Sequence, residues 1–152
     1  MIVISRASIN DAEEILKVKI RAFSWDVKTY GFGPPHYDSL EDLKKAIETA
    51  FFYKVTYDDS IIGGFSLYDQ QNNHYEVGGL YIDPEYQDKG IGSQVLDFIF
   101  KQYPEVNKWT LDTPYLSFRN QHFYEKAGFV KVGEKRPIEN NEFTLCEYEK
   151  IV

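Results

Sequence analysis

The sequence has few of the residues that bind metals or form disulfides. Among its 152 residues are one cysteine and three histidines. The single thiol, Cys146, cannot form a disulfide within the chain, which is typical of a reducing compartment. Because Cys146 lies in an alternating C-terminal strand pattern, we expect a small apolar core residue there rather than a nucleophile. His36, His74 and His122 lie far apart without metal-ligand spacing, so no metal is expected.

Long apolar runs and positive charge are also scarce. No run approaches the length of a membrane span, and the first residues lack the apolar segment of a signal peptide. We therefore expect a cytoplasmic protein without a membrane partner. The formal net charge of -7 argues against a nucleic-acid-binding surface, which needs a basic face. The acidic balance suits a cationic amine ligand, and solubility explains it equally well.

The hydrophobic residues, 43% of the chain, predict one domain over residues 1–152 with an ordinary core. Apolar alternation predicts strands at residues 2–6, 51–57, 61–68, 75–82, 106–112, 129–134 and 143–148. Helical spacing predicts helices from Ser8 or Asn10 to about Phe23, from Asp38 or Ser39 to Ala50, from about Ile91 to Tyr103, and from Phe118 to Lys126. Gly63-Gly64 should loosen the third strand, and Glu139-Asn140-Asn141 should form the last hairpin turn. This order predicts an α+β fold in which a mixed sheet has one parallel crossover at its centre.

The most informative stretch runs from Tyr75 to Phe100. It reads as a buried strand, a turn at Asp83-Pro84, a loop carrying Gly90 and Gly92, and a helix. The first N–H groups of a helix have no intrahelical partner and lie at the positive end of its dipole. Glycine lets a ligand approach them closely, so we expect a phosphate site here.

Two common phosphate-binding motifs do not fit this loop. A dinucleotide fingerprint needs a third glycine three residues after Gly92, where Val95 stands. A nucleoside-triphosphate loop needs Lys and then Ser or Thr after its second glycine, but Ser93-Gln94 follows Gly92. The phosphate ligand must be of another kind.

The segment Gln87-Asp88-Lys89-Gly90-Ile91-Gly92 resembles the acyl-CoA pyrophosphate loop, Gln/Arg-x-x-Gly-x-Gly/Ala, of the GNAT superfamily of N-acetyltransferases. Ile82-Asp83-Pro84 is similar to the Val-x-Pro that ends the family's fourth strand. A second element, from Asn120 to Phe129, resembles the family's Asn-x-x-Ala/x-Phe-Tyr-Glu-Lys-x-Gly-Phe. The resemblance covers the chain in element order and is sharp from Tyr75 to Phe129.

The resemblance implies a single-domain GNAT-like fold: a central, mixed, mostly antiparallel sheet of about seven strands, with a splay between strands 4 and 5, flanked by about four helices. It implies transfer of an acetyl group from acetyl-CoA to a primary amine, on a small molecule or as the amino group of a peptide or protein, by direct attack through a tetrahedral intermediate. The CoA-binding residues would be Leu80, Tyr81, Ile82, Gln87, Asp88, Lys89, Gly90, Ile91, Gly92, Ser93, Asn120, Phe123, Tyr124 and Lys126. Lys89, Arg119 and Lys126 are the candidate cations beside the phosphates.

Gly78-Gly79 weakens the central strand and therefore needs a reason. One interpretation is a plain bulge without a ligand. The other is that the bulge opens a wedge in which the backbone of residues 80–82 pairs with the pantetheine arm.

Two catalytic residues are implied by the family pattern. Tyr124 matches the tyrosine that protonates the leaving thiolate, with a buried structural tyrosine as the alternative. Glu76 resembles the catalytic glutamate of the superfamily's histone acetyltransferases and would deprotonate the amine. The alternatives for Glu76 are a solvent-facing role, or a mechanism that uses waters and backbone carbonyls.

The acceptor side is less defined. The segment from Ser24 to Asp38 carries many aromatic residues around glycines and is predicted as a loop, either a satellite cluster or one wall of the acceptor pocket. The candidate acceptor-binding residues are Trp25, Tyr30, His36, Tyr37, Thr113 and Tyr115, together with the Glu139–Glu142 hairpin. A non-catalytic acyl-CoA-binding sensor of the same fold remains the alternative function, and a homodimer is possible for this family.

Overall fold

The computed structural model describes residues 1–31, 33–136 and 143–152. Within them the chain forms seven strands: β1 (Ile2–Arg6), β2 (Phe51–Tyr57), β3 (Ser60–Asp69), β4 (His74–Ile82), β5 (Lys108–Pro114), β6 (Val130–Lys135) and β7 (Leu145–Ile151). The α-helices are α1 (Ala12–Tyr30), α2 (Leu40–Thr49), α3 (Ile91–Gln102) and α4 (Phe118–Lys126). Short 3₁₀ helices at Ile9–Asp11 and Pro84–Tyr86 precede α1 and follow β4.

The strands form one sheet in the order β1-β2-β3-β4-β5-β7-β6. The pairs β1–β2, β2–β3, β5–β7 and β6–β7 are antiparallel, whereas β4 and β5 are parallel. The recorded β4–β5 ladder runs from His74↔Lys108 to Val77↔Leu111, and both strands continue beyond it. Within the described residues this confirms the predicted α+β fold with one parallel crossover at its centre, and a ladder that stops before the strands end is the pattern expected of splayed strands.

Contacts divide the chain into two units. The first comprises Met1–Leu67 and Gly79–Val95, and the second comprises Tyr68–Gly78 and Leu96–Val152. That residues 1–152 act as a single domain stays a prediction.

The core of the first unit lies between two helices and the sheet. Ala12, Ile15 and Val18 recur at helical spacing on α1 and are at most 1% exposed. They share a buried cluster with Leu43 and Ile47 of α2 and with sheet residues Phe52, Ile61 and Tyr81. The Ser39 side chain caps α2 by accepting a hydrogen bond from the Asp42 N–H at 3.2 Å, as predicted from the sequence.

The prediction that the first helix ends near Phe23 was wrong. α1 continues to Tyr30 and ends at Gly31, which has φ +83° and donates its N–H to the Val27 carbonyl at 2.9 Å. The aromatic segment therefore begins as helix rather than loop. Aromatic residues have only a slightly lower helix propensity than alanine, and the helix stops where glycine accepts the left-handed conformation.

Gly63 and Gly64 serve a close approach rather than a loosening of β3. A Cβ at Gly63 would lie 2.5 Å from the backbone oxygen of Tyr81. At Gly64 it would lie 3.0 Å from the Tyr81 hydroxyl. The missing side chains therefore let residue 81 of β4 lie directly against β3.

In the second unit, the core contains large aromatic residues. Trp109 and Tyr148 are 1% exposed, and Phe100 packs edge-on against Trp109 with ring centroids 5.6 Å apart. Cys146 is fully buried in β7, in agreement with the prediction of a core residue. β5 begins two residues later than predicted and includes Thr113 and Pro114, because both pair with β7. The predicted turn at Glu139–Asn141 lies outside the described residues.

Candidate functional site

In the first unit, a glycine turn leads directly into α3. Gly90 has φ +78°, and a Cβ built on it would meet no atom within 4 Å among the described residues. α3 begins at Ile91, and its first recorded helical hydrogen bond runs from the Gln94 N–H to the Gly90 carbonyl at 3.2 Å. The amides of residues 91–93 therefore lie in the first helical turn, where N–H groups have no intrahelical acceptor. This is the arrangement that binds an anion.

The turn is fixed to the end of β4 by a side chain that the family pattern contains. Gln87 donates a hydrogen bond from Nε2 to the Ile82 carbonyl at 2.8 Å. Asp88 follows with φ +62°, and Lys89 lies over the Tyr86 ring, 5.9 Å from its centroid. Asp88, Lys89, Gly90 and Ser93 are exposed, while Ile82 and Ile91 are buried and Leu80, Gln87 and Gly92 are half-buried.

Tyr81 places its side chain in the core beneath α1. Its hydroxyl is buried and has no hydrogen-bond partner among the described residues. Burial also raises the pKa of the Tyr81 phenol far above its ordinary value. Lys19 lies over the same ring with Nζ 5.8 Å from the centroid, and its half-burial lowers the pKa of its ammonium group, an effect opposed by Asp42. The Tyr81 side chain is therefore part of the core of the first unit.

In the first unit, two acceptor candidates lie on α1 and two lie in the turn before α2. Trp25 and Tyr30 are both on α1, with their rings edge-to-face at 5.7 Å, and Trp25 is 63% exposed. Tyr37 packs edge-on against Phe23 at 6.1 Å, whereas exposed His36 lies 3.3 Å from the Asp42 carboxylate. The structure therefore forms two aromatic pairs from this segment and directs His36 to α2.

In the second unit, α4 carries the residues of the second family element. Tyr124 is 7% exposed and packs against Phe123 at 5.1 Å and Phe129 at 5.8 Å. Burial raises the pKa of Tyr124 far above its ordinary value, so the phenol keeps its proton even in alkaline solution. Asn120, one turn earlier, and Phe123 are half-buried, and Lys126 is exposed. Tyr124 is therefore a buried, protonated phenol on α4.

The ends of α4 are held by two side chains that the sequence motif did not identify. Gln121 donates from Nε2 to the carbonyls of Pro114 at 3.1 Å and Tyr115 at 2.6 Å. Lys150 donates from Nζ to the Ala127 carbonyl at 2.8 Å. These bonds fix the helix to β5 and β7, and Gly128 closes it with φ +100° as predicted.

Glu76 lies on the face of the second unit's sheet that also carries Thr110 and Asp112, which we call the polar face. It is half-buried on β4 beside Thr110 of β5, and its pKa is raised by burial first and by Asp112 second, while Lys135 opposes the shift. A carboxylate with a raised pKa is a better proton acceptor near neutral pH than an ordinary one. Of the two acceptor candidates in this unit, Thr113 is 2% exposed within β5 and Tyr115 is 45% exposed.

The chain belongs to the Acetyltransferase (GNAT) family, whose model matches residues 17–129. It is similar to the uncharacterized protein YrkN of Bacillus subtilis (strain 168), with 32% identity over 136 residues that cover 84% of this chain and 72% of that protein.

Solved structures show the same fold at lower identity. The PaiA N-acetyltransferase from Thermoplasma acidophilum, in complex with coenzyme A, matches with a TM-score of 0.77 and 24% identity over 100% of this chain and 99% of that one. The ribosomal-protein-S18-alanine N-acetyltransferase from Escherichia coli matches with a TM-score of 0.80 and 16% identity, over 99% of this chain and 94% of that one. No helix in the described ranges is both long and apolar enough to cross a membrane.

Proposed function

We propose that this chain transfers an acetyl group from acetyl-CoA to a primary amine. The observation that carries the proposal is the Gly90 turn at the start of α3, in a chain of the GNAT family. The turn combines a left-handed glycine, space beside its Cα, and the first-turn amides of a helix. In this family, the anion that binds at such a turn is the pyrophosphate of CoA.

The donor is held mainly by backbone groups. The amides of residues 87–93 bind the pyrophosphate, which is necessary because the chain's formal net charge of -7 opposes a polyanion. Lys89 and Lys126, both exposed, supply local positive charge, and Asn120 with Phe123 contacts the pantetheine arm. The backbone of Leu80 to Ile82, beyond the recorded β4–β5 ladder, pairs with the same arm.

The chemistry uses one proton acceptor and one proton donor. Glu76 takes a proton from the ammonium group of the acceptor, whose nitrogen then attacks the thioester carbon. A backbone N–H near Leu80 or Tyr81 stabilises the oxyanion by about 3 kcal/mol, as in comparable sites. The attack forms the C–N bond of a tetrahedral intermediate, whose nitrogen loses its second proton to solvent. When the C–S bond then breaks, Tyr124 gives its proton to the departing thiolate and is reprotonated from solvent.

The acceptor is a primary amine on a small molecule or a peptide. In this proposal the amine is bound by aromatic residues and their neighbours: Trp25, Tyr30, His36, Tyr37, Thr113 and Tyr115. Aromatic faces attract ammonium groups, which is how this set would bind an amine before it loses its proton.

The test follows acetyl-CoA and thiol separately. Calorimetry of the full chain with acetyl-CoA should show binding at one site. Incubation with acetyl-CoA and a panel of polyamines, amino acids, aminoglycosides and peptide N-termini should release CoA thiol with at least one amine. Binding without thiol release from any amine would instead indicate a non-catalytic acyl-CoA sensor, and an absence of binding would refute both functions.

A further inference from the structure

The polar face of the second unit carries more charge than Glu76 alone. Glu76 aligns with Thr110 on β5, and Asp112 lies two residues further along the same face of that strand. Asp112 in turn aligns with Glu147 of β7. We call these three carboxylates the carboxylate row. The Lys135 ammonium of β6 pairs with its middle member, Asp112.

Lys135 reaches across a whole strand to join this row. Its Nζ donates to Oδ2 of Asp112 at 2.7 Å, although β7 lies between β5 and β6 in the sheet. A Cβ at Gly133 would lie 2.9 Å from Oε1 of Glu147, so the Glu147 side chain extends over β6. The Lys135 side chain thus extends from β6 over β7, and the Glu147 side chain extends from β7 over β6.

The row is electrostatically coupled through one cation. The pKa of Lys135 is raised by its hydrogen bond to Asp112 first, and also by the charges of Asp112, Glu147 and Glu76, against a smaller opposing effect of burial. Three carboxylates around one ammonium leave an excess of negative charge, and like charges on one face oppose each other's ionisation. Lys135 is 44% exposed and Asp112 is 22% exposed, so solvent screens the coupling only in part.

We propose that Lys135 and Asp112 are positioning residues for Glu76: the Lys135 ammonium favours the ionised form of the base, and Asp112, which holds that ammonium beside β5, opposes it. This inference rests on the proposed function, in which Glu76 is the proton acceptor. Lys135 touches neither acetyl-CoA nor the amine in this scheme and acts only through Glu76. With the ammonium in place, Glu76 is ionised over a wider range of pH and is available as a base.

Other charged groups of the second unit face the same surface. His74, two residues before Glu76, bonds through Nε2 to the Thr110 hydroxyl at 2.8 Å, and burial followed by Lys108 lowers its pKa. It is therefore mostly neutral at pH 7. Lys108 lies 3.7 Å from Glu149, so these two charges largely offset each other. Among the described residues, burial of Glu76 and the charges of Asp112 and Lys135 are therefore the main influences on its titration.

The test measures the titration of Glu76 directly by ¹³C NMR of its side-chain carboxyl, assigned by its loss in Glu76→Gln. Lys135→Met should raise the midpoint by about half a pH unit or more, because the positive charge that favours ionised Glu76 is removed. Asp112→Asn should lower it, because one charge that opposes the ionisation of Glu76 is removed. The double variant should return toward the wild-type midpoint.

Lys101→Met is the matched control, since it removes the same charge from an exposed pair with Asp97 on α3 and should leave the Glu76 midpoint unchanged. An ion pair that is only structural would lower stability in both single variants without moving the midpoint. That result, or shifts of the same sign in both single variants, would overturn the inference.

The pH dependence of kcat/KM separates this inference from the proposed function. If Glu76 is the base, the acidic limb of each variant moves with the NMR midpoint. If the midpoints move as expected and the rate profile does not follow, the pair still governs Glu76 and the assignment of Glu76 as the base fails.

Discussion

Arg21 on α1 holds Asp83 at the end of β4 through two hydrogen bonds to the same oxygen. Nε and Nη2 donate to Oδ2 at 2.9 and 2.6 Å. The other Asp83 oxygen, Oδ1, accepts from the Glu85 N–H at 3.1 Å. Asp83 is 6% exposed, so both oxygens depend on these donors rather than on bulk water. One carboxylate thus joins α1 to the beginning of the segment that leads to Gly90.

Arg21→Met should lower the free energy of unfolding by about 1–3 kcal/mol, because it leaves a buried carboxylate oxygen without its charged donor. Arg21 itself is half exposed, so the cost comes mainly from Asp83. Denaturant unfolding measures it, with Lys101→Met as a control whose exposed pair should cost within about 0.5 kcal/mol. Equal costs in the two variants would show that the Asp83 contact is no stronger than a surface pair.

Gly90→Ala should weaken acetyl-CoA binding about tenfold, equivalent to about 1.4 kcal/mol, because the new methyl group strains a left-handed backbone beside the pyrophosphate. Gly31→Ala is a close control: its φ is +83° against +78° at Gly90, and a Cβ at either position meets nothing within 4 Å among the described residues. Both variants should lose about 1–2 kcal/mol of stability from the same strain. Calorimetry should find the loss of affinity at Gly90 alone, and an equal loss at Gly31 would contradict a local role for the turn.

Tyr124→Phe should reduce kcat about 100-fold and leave the Kd for acetyl-CoA unchanged, because only the proton donor is removed. The ring contacts to Phe123 and Phe129 are kept. Tyr148→Phe removes another buried hydroxyl, one that donates to Glu125 at 2.7 Å, and should change stability more than kcat. Single-turnover thiol release measures the rate, and wild-type turnover in Tyr124→Phe would remove the residue from the mechanism.

Glu76→Gln should raise stability at neutral pH while it lowers turnover. The folded-state pKa of Glu76 lies above its unfolded value, so its neutral form favours folding and that contribution is lost as pH rises through the folded pKa. Glutamine stays neutral, so the variant should melt higher than wild type at pH 8. The two Tm values should converge on acidification below the unfolded pKa.

The activity of Glu76→Gln supplies the second half of this test. A variant that is more stable at neutral pH and less active, and whose rate profile has lost the limb due to Glu76, fits a base. A Tm gain with an unchanged pH–rate profile would instead assign Glu76 to the surface electrostatics of β4.

The sequence predicted the elements with strong local signals. Three such predictions are confirmed: the Ser39 cap, the helix Phe118–Lys126 and its end at Gly128. Each could be predicted because its signal lies in neighbouring residues. The end of α1 was wrong because the aromatic content of the segment was given more weight than its lack of a helix breaker before Gly31. The position of the first helix breaker, rather than the aromatic content, therefore determines this boundary.

Contacts between distant residues could not be predicted from one sequence. Arg21 and Asp83 are 62 positions apart, and nothing local to either residue indicates the other. The carboxylate row is similar, because Lys135 meets Asp112 only after β7 has been placed between β5 and β6. The role of Gly63 was misread for the same reason, since the Tyr81 backbone that it accommodates belongs to another strand.

The burial of Cys146 has a practical consequence for enzymology. The chain's only sulfhydryl is 0% exposed, and burial above all raises its pKa, so the reactive thiolate is scarce in the native protein. In the thiol-release assay of the proposed function, a chromogenic disulfide reagent will therefore develop colour from the CoA thiol without a background from native Cys146. The same reagent will react with one further thiol per chain, that of Cys146, when the protein denatures. One assay can therefore report both the release of CoA thiol and the loss of structure.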